Sequence, residues 1–314
     1  MSMLRPYYLL WKSGHYYLKI NAIRQCSRSM ATIKQSPSEY CLNLVRKHDH
    51  ESFLCTLLLP NEIRSVAIAI RAFNVEVATV EDQVRDTRNG LLRLKFWEDA
   101  INGVYEDSPP KTPTALELHR TLKKCKLSKR YFKRLIEARY SKLESPTFPN
   151  LASIENYAEN AFSSIYYLLL EAKNTKDLNT DHFASHFGKA SGIVTLIRAI
   201  PYYAQKSEIT LPQELIAKHK VSLRSVFRGQ ISKEFKDALF ELSSCANSHL
   251  QKARLLKDKV EKTNNVVFLP YLITESYLEK LRRVDFDVFD PKLQKKDNLL
   301  PLRLYWRKVL NKLC

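Results

Sequence analysis

From residue 39 onward, apolar side chains recur at three- and four-residue intervals in one segment after another, the spacing of helices that turn one face to a core. Pro60-Asn61-Glu62 opens the clearest of them, with Ile63, Val66, Ala67, Ile70, Phe73 and Val77 on one side. The same period predicts helices over 91–105, 114–124 and 129–143, with breaks at EDSPPKTP and SPTFPN. Longer ones follow over about 151–172 and 180–203. Beyond LPQEL the pattern predicts one long helix near 223–261, then 266–283, and a last one near 299–312. No segment alternates with period two far enough to build a sheet, and neither GxGxxG nor GxxxxGK(S/T) occurs. No repeat of about 34 or 40 residues is present either. The expected architecture is all-α, one domain over 39–314, a bundle whose usual functional site is a cavity between facing helices.

Composition narrows the class. Only 6 of 314 residues are glycine and 45% are apolar, which excludes fibrous and low-complexity chains. No run of about 18 apolar residues predicts a membrane span. The net charge of +18 suits an anionic partner, whether nucleic acid, anionic lipid or an acidic protein face. Residues 1–38 supply six of the basic side chains (Arg5, Lys12, Lys19, Arg24, Arg28, Lys34), several serines and no acid. That is the signature of a mitochondrial transit peptide, cleaved near 28–38, with an ordinary basic tail as the alternative. Cysteines 26, 41, 55, 125, 245 and 314 show no CxxC pair and no Cys/His cluster at zinc spacing, so six reduced thiols are expected.

Four segments carry a resemblance: YCLNLVRKHDHESFLCTLLLPNEIRSVAIAIRAFNVEVATVED (40–82), YAENAFSSIYYLLLE (157–171), FGKASGIVTLIRAIPYYAQKSEITLP (187–212) and VVFLPYLITESYLEKLRRVDFDVFD (266–290). In this order they resemble the squalene/phytoene synthase family over roughly residues 40–312. RAFNVEVATV, YAENAFSS and IRAIPYY are similar to the branch of that family that serves the assembly of mitochondrial respiratory complex I. The resemblance implies an isoprenoid-synthase-type helical bundle. Active members of the family join two prenyl diphosphates, using an Asp-rich motif on each of two facing helices. Their carboxylates hold Mg²⁺ ions, which neutralise the diphosphate and help it depart.

Where the resemblance implies Asp-Asp-x-x-Asp, this chain has Ala78-Thr79-Val80-Glu81-Asp82; where it implies Asp-x-x-x-Asp after Arg198, it has Ala199-Ile200-Pro201-Tyr202-Tyr203. Ala78, Asp82, Ala199 and Tyr203 are therefore expected at a relict pocket, with no catalytic residue, no metal site and no cofactor. Asp82-Gln83-Val84-Arg85-Asp86 is a displaced Asp-x-x-x-Asp, but one anionic wall with Arg85 inside it reads as a solvated helix end. Ser191, Thr195, Ala199 and Tyr203 form a stripe at four-residue spacing toward the old cavity. Ser163, Ser164 and Tyr166 fall where the family favours small residues, implying a partly filled pocket.

Other candidates read as structure. His48 and His50 flank Asp49 without a third ligand at helical spacing, so a surface HDH is expected. Ser185/His186 and Ser248/His249 are chain neighbours that point apart on a helix and make no dyad. The basic segment Lys123–Lys142, with Tyr131, Phe132 and Tyr140, reads as a solvated face rather than a nucleic-acid patch. The last helix mixes Leu300, Leu304 and Trp306 with Arg303, Arg307, Lys308 and Lys312. It fits a terminal helix docked on the bundle, a helix lying on an anionic membrane, or both. The expected role is a non-catalytic complex I assembly factor, peripheral on the matrix side of the mitochondrial inner membrane. Its expected partners are complex I subunits or other assembly factors and anionic lipid, with nucleic acid not expected. The rivals are an active Mg-dependent prenyl-diphosphate condensing transferase and, from charge alone, an organellar RNA-binding protein.

Overall fold

Capping chemistry sets most of the helix boundaries. Ser36 accepts the Glu39 N–H and Pro37 fills the first turn of α1 (Pro37–His48). Asp49 ends α1 and caps α2 (His50–Leu57). Pro60 precedes α3 (Asn61–Ala78), and after Thr79 a single turn, α4 (Val80–Gln83), follows. Asp86 caps α5 (Thr87–Tyr105); α6 (Pro113–Leu122) and α7 (Lys129–Glu144) come next. An Asn150–Ser153 capping box opens α8 (Leu151–Ala158). A π-turn over Glu159–Ser163 joins it to α9 (Ser164–Ala172). The remaining helices are α10 (Leu178–Gln205), α11 (Gln213–His219), α12 (Leu223–Phe227), α13 (Lys233–Leu256), α14 (Tyr271–Arg283), α15 (Pro291–Gln294) and α16 (Leu300–Val309).

The computed structural model describes residues 35–84 and 86–312, and no strand occurs among them. The segment expected to be a transit peptide, up to residue 34, together with Arg85 and Cys314, lies outside the described residues. The expected all-α bundle is what the chain forms. Two boundaries differ from the periodicity. The single helix expected over 223–261 is split into α12 and α13, because Gly229 takes a left-handed φ of 70° and Ser232 starts a new helix by accepting the Phe235 N–H. The helix expected from 266 begins only at Tyr271, after Pro270, and is preceded by 3₁₀ turns over Lys262–Phe268.

Helix α10 runs between two cores. Its first half packs on α9 and the π-turn and shares a core with α3, α5 and α7 around Phe73, Phe132, Phe183, Phe187 and Phe268. Its second half packs with α8, α13 and α14 around Ile197, Ile200, Phe235 and Leu281. Two glycines let α10 lie backbone-to-backbone on α8 and the π-turn. A Cβ on Gly192 would stand 2.5 Å from the Ala158 Cβ, and one on Gly188 would meet the Ser163 Cα at 2.6 Å. This close approach fixes the level at which the far end of α10 emerges opposite α4.

Candidate functional site

At that level the ends of α3–α4 and α10 face each other through acids and phenols. Tyr203 Oη donates to Glu81 Oε2 at 3.1 Å, and Tyr202 Oη donates to Asp82. Lys206, the C-cap of α10, donates to Asp82 Oδ1 at 2.8 Å. From α7, Lys142 reaches Glu81 Oε1 at 3.4 Å, and only 7% of it is exposed. The two ammoniums also flank the phenol rings. Lys142 Nζ lies 4.7 Å from the Tyr203 centroid, and Lys206 Nζ lies 4.4 Å from that of Tyr202.

The electrostatics are those of a closed ion-pair network. Burial and then Glu81 push the Tyr203 phenol far above its ordinary value, so it stays a donor. Burial opposes the charge on Lys206, but its hydrogen bonds to Asp82 and Tyr202 outweigh that and hold the ammonium protonated. Each carboxylate thus already has an ammonium and a phenol. A Mg²⁺ ion prefers near-octahedral oxygen ligation with anionic donors to spare, which this set does not offer.

The four residues singled out from the sequence are placed differently from one another. Asp82 and Tyr203 come together at this junction, next to each other's partners. Ala78 is the exposed last residue of α3, and Ala199 is buried within α10. Asp86 does not extend the Asp82 face. It caps a separate helix by accepting the Asn89 N–H at 2.8 Å. Lys142 carried a detectable signal: with Leu135, Ala138 and Arg139 it occupies the buried register of α7. So the basic segment is not simply a solvated face. Arg139 is buried as well, and donates to Asn74 Oδ1 at 2.7 Å. No local signal identified Tyr202 and Lys206 as partners of Asp82.

Deeper inside, Tyr166 packs against Phe187 and Phe268 with centroids 4.8 and 5.9 Å apart, and Phe183 lies 4.6 Å from Phe268. Tyr166 thus sits in a cluster of buried aromatic rings, while Ser163 donates to Glu159 and to the Ser185 carbonyl. Arg198 is held bidentately by Glu51 at 2.7 and 3.2 Å. Asp49 caps α2 and lies 3.8 Å from the buried Arg71, while its neighbours His48 and His50 are exposed. Ser185 donates to Glu159 at 2.8 Å, and His186 lies 3.0 Å from His249, Nδ1 to Nδ1. Neither histidine pairs with its neighbouring serine, yet the two histidines pair with each other. Cys41, Cys55, Cys125 and Cys245 are free thiols.

The chain is similar to known proteins in both sequence and fold. The squalene/phytoene synthase family model matches residues 45–307. The chain is 44% identical over 272 residues to the NADH dehydrogenase (ubiquinone) complex I assembly factor 6 of Mus musculus, covering 86% of this chain and 82% of that protein. It is 39% identical over 306 residues to the homolog of that factor in Drosophila melanogaster, covering 95% and 91%. The crystal structure of a dehydrosqualene synthase in complex with ligand shares the fold, with a TM-score of 0.76 at 16% identity over 87% of this chain and 96% of that one.

Proposed function

The chain belongs to the squalene/phytoene synthase family, and we propose that within it this protein is a non-catalytic assembly factor for mitochondrial respiratory complex I. The printed role of its relatives supports the assembly part of this reading. The observation that carries the non-catalytic part is the pairing of Glu81 and Asp82 with Lys142, Lys206 and two tyrosines. The family resemblance implies that active members condense prenyl diphosphates in a multi-metal anionic cage at this junction. The residues present do not fit one: α10 offers phenols and an ammonium where anionic ligands are needed. In this reading Ala78, Asp82, Ala199 and Tyr203 are remnants of metal-binding positions.

The partners in this reading are complex I subunits or other assembly factors, together with the anionic matrix face of the inner membrane. Helix α16 supports the lipid contact. Leu300 and Leu304 anchor it on Cys55, Leu269 and Leu272, while Leu302, Tyr305, Trp306 and Val309 are exposed beside Arg303 and Lys308. No helix among the described residues is long and apolar enough to cross a membrane, so attachment would be peripheral, through shallow insertion and charge. The basic leader would direct import.

The decisive assay mixes the purified protein with Mg²⁺ and prenyl diphosphates. No coupled product is expected. Product that disappears in Asp82→Ala would establish the rival reading, a prenyl-diphosphate condensing transferase working through displaced acids.

A further inference from the structure

On the side of the bundle where α8 and α13 meet, three ligand atoms of different kinds converge. Glu155 Oε1 of α8 accepts from Cys245 Sγ at 3.2 Å and lies 2.9 Å from His249 Nε2, both on α13. All three ligand atoms lie within 4.8 Å of one another. Around a tetrahedral zinc-like ion with bonds of about 2.0–2.3 Å, such atoms stand about 3.3–3.8 Å apart. Shifts of under about 1 Å would therefore seat an ion.

Rigid elements present these groups. Cys245 and His249 are four residues apart on α13, so they share one helix face. Glu155 stands between Ile154 and Ala158, which anchor α8 in the core. His249 is 5% exposed, and its second nitrogen is the one that meets His186 of α10 at 3.0 Å. Ligating histidines characteristically pair their outer nitrogen in this way, which fixes the tautomer and ring orientation.

We propose that Glu155, Cys245 and His249 bind one divalent transition-metal ion of the zinc type, supported by His186 and leaving a fourth position open to water. A thiol and an imidazole select such an ion over Mg²⁺ or Ca²⁺. On binding, the Cys245 S–H bond breaks, its proton passes to solvent, and the thiolate sulfur bonds the metal. The neutral His249 ring takes the tautomer with hydrogen on Nδ1, donating to His186, while Nε2 binds the ion. Thiolate and carboxylate together balance the dication: one proton is released per ion, and the site passes from a net −1 to neutral. The ion would clamp α8 to α13. This inference is independent of the assembly-factor reading.

The test uses the full-length protein, stripped with chelator and titrated with Zn²⁺ against a competing chromophoric chelator, and separately with Co²⁺ followed by absorption. One ion per chain is expected, with a thiolate-to-cobalt charge-transfer band that Cys245→Ser abolishes. Glu155→Gln, close to isosteric, should weaken Zn²⁺ binding, and His186→Gln should weaken it by about 10–100-fold while keeping the stoichiometry. Helical circular dichroism of each metal-free variant reports folding. A wild-type protein without the band, or a band and affinity unchanged in Cys245→Ser, overturns the proposal. If Cys245→Ser fails to fold, Zn²⁺ affinity unchanged in Glu155→Gln overturns it instead.

Discussion

Replacing Phe73 by alanine tests whether the protein works through its packed bundle or through its remaining acids. Phe73 is fully buried on α3, edge-to-face with Trp97 at 5.7 Å and with Phe132 at 5.3 Å. It joins α3 to α5 and α7 at the centre of the first core. Truncating a buried phenylalanine costs about 3–5 kcal/mol through lost transfer energy and the residual cavity. The two ring pairs, about 0.5–1.5 kcal/mol each beyond their buried area, place Phe73→Ala in the upper part of that range. Against a total stability of about 5–15 kcal/mol, the loss is at least a quarter. At about 2–4 °C per kcal/mol for a domain near this size, the melting temperature should fall on the order of 10 °C. Urea unfolding measures it directly, as a lower midpoint at unchanged slope. A loss below about 1 kcal/mol would refute the packing argument. Asp82→Asn is the counterpart: its exposed pairs with Tyr202 and Lys206 are worth about 0–1 kcal/mol. In cells lacking the native protein, Phe73→Ala should lower abundance and assembled complex I together, while Asp82→Asn leaves both nearly unchanged. Loss of assembly in Asp82→Asn at normal abundance would refute the scaffold reading.

Three further outcomes are expected. Burial raises the Glu159 carboxyl, but hydrogen bonds from Ser185, Tyr167, Ser163 and Arg134 outweigh it and hold its pKa below the ordinary 4.5. Its contribution is therefore complete above pH 4.5 and is lost as pH falls through the lowered folded value. Glu159→Gln should cost about 1.5–3 kcal/mol near neutral pH and flatten the acid limb of stability against pH; an acid limb as steep as that of the wild type would refute this. Gly192→Ala should destabilise by thermal melting, because overpacking of about 1–3 kcal/mol opposes a helix-propensity gain of at most about 1 kcal/mol; a raised melting temperature would show that α8 can yield. Lys308→Ala should weaken binding to anionic vesicles by about 1 kcal/mol, or roughly fivefold, and high salt or carbonate should strip the wild type; retention under both treatments would point to deeper insertion than α16 provides.

Local chemistry is what the sequence determined. The helical period of α3 and α10 and the proline before α3 act within one or two turns, so they can be read from neighbouring residues. The family resemblance added which helix ends should face each other. Period alone could not see the break between α12 and α13, because Leu223–Leu256 keeps its apolar spacing while Gly229 turns left-handed. Nor could it supply the pairings at the candidate sites. Glu81 meets Tyr203 across 122 residues and Lys142 across 61, and His186 meets His249 across 63. Each of those side chains also suits a solvated helix face. The tertiary structure decided between the two: the glycine contacts of α10 with α8 and the π-turn set its level, and its packing along α13 brought groups distant in sequence within hydrogen-bonding reach, where burial makes each partner necessary.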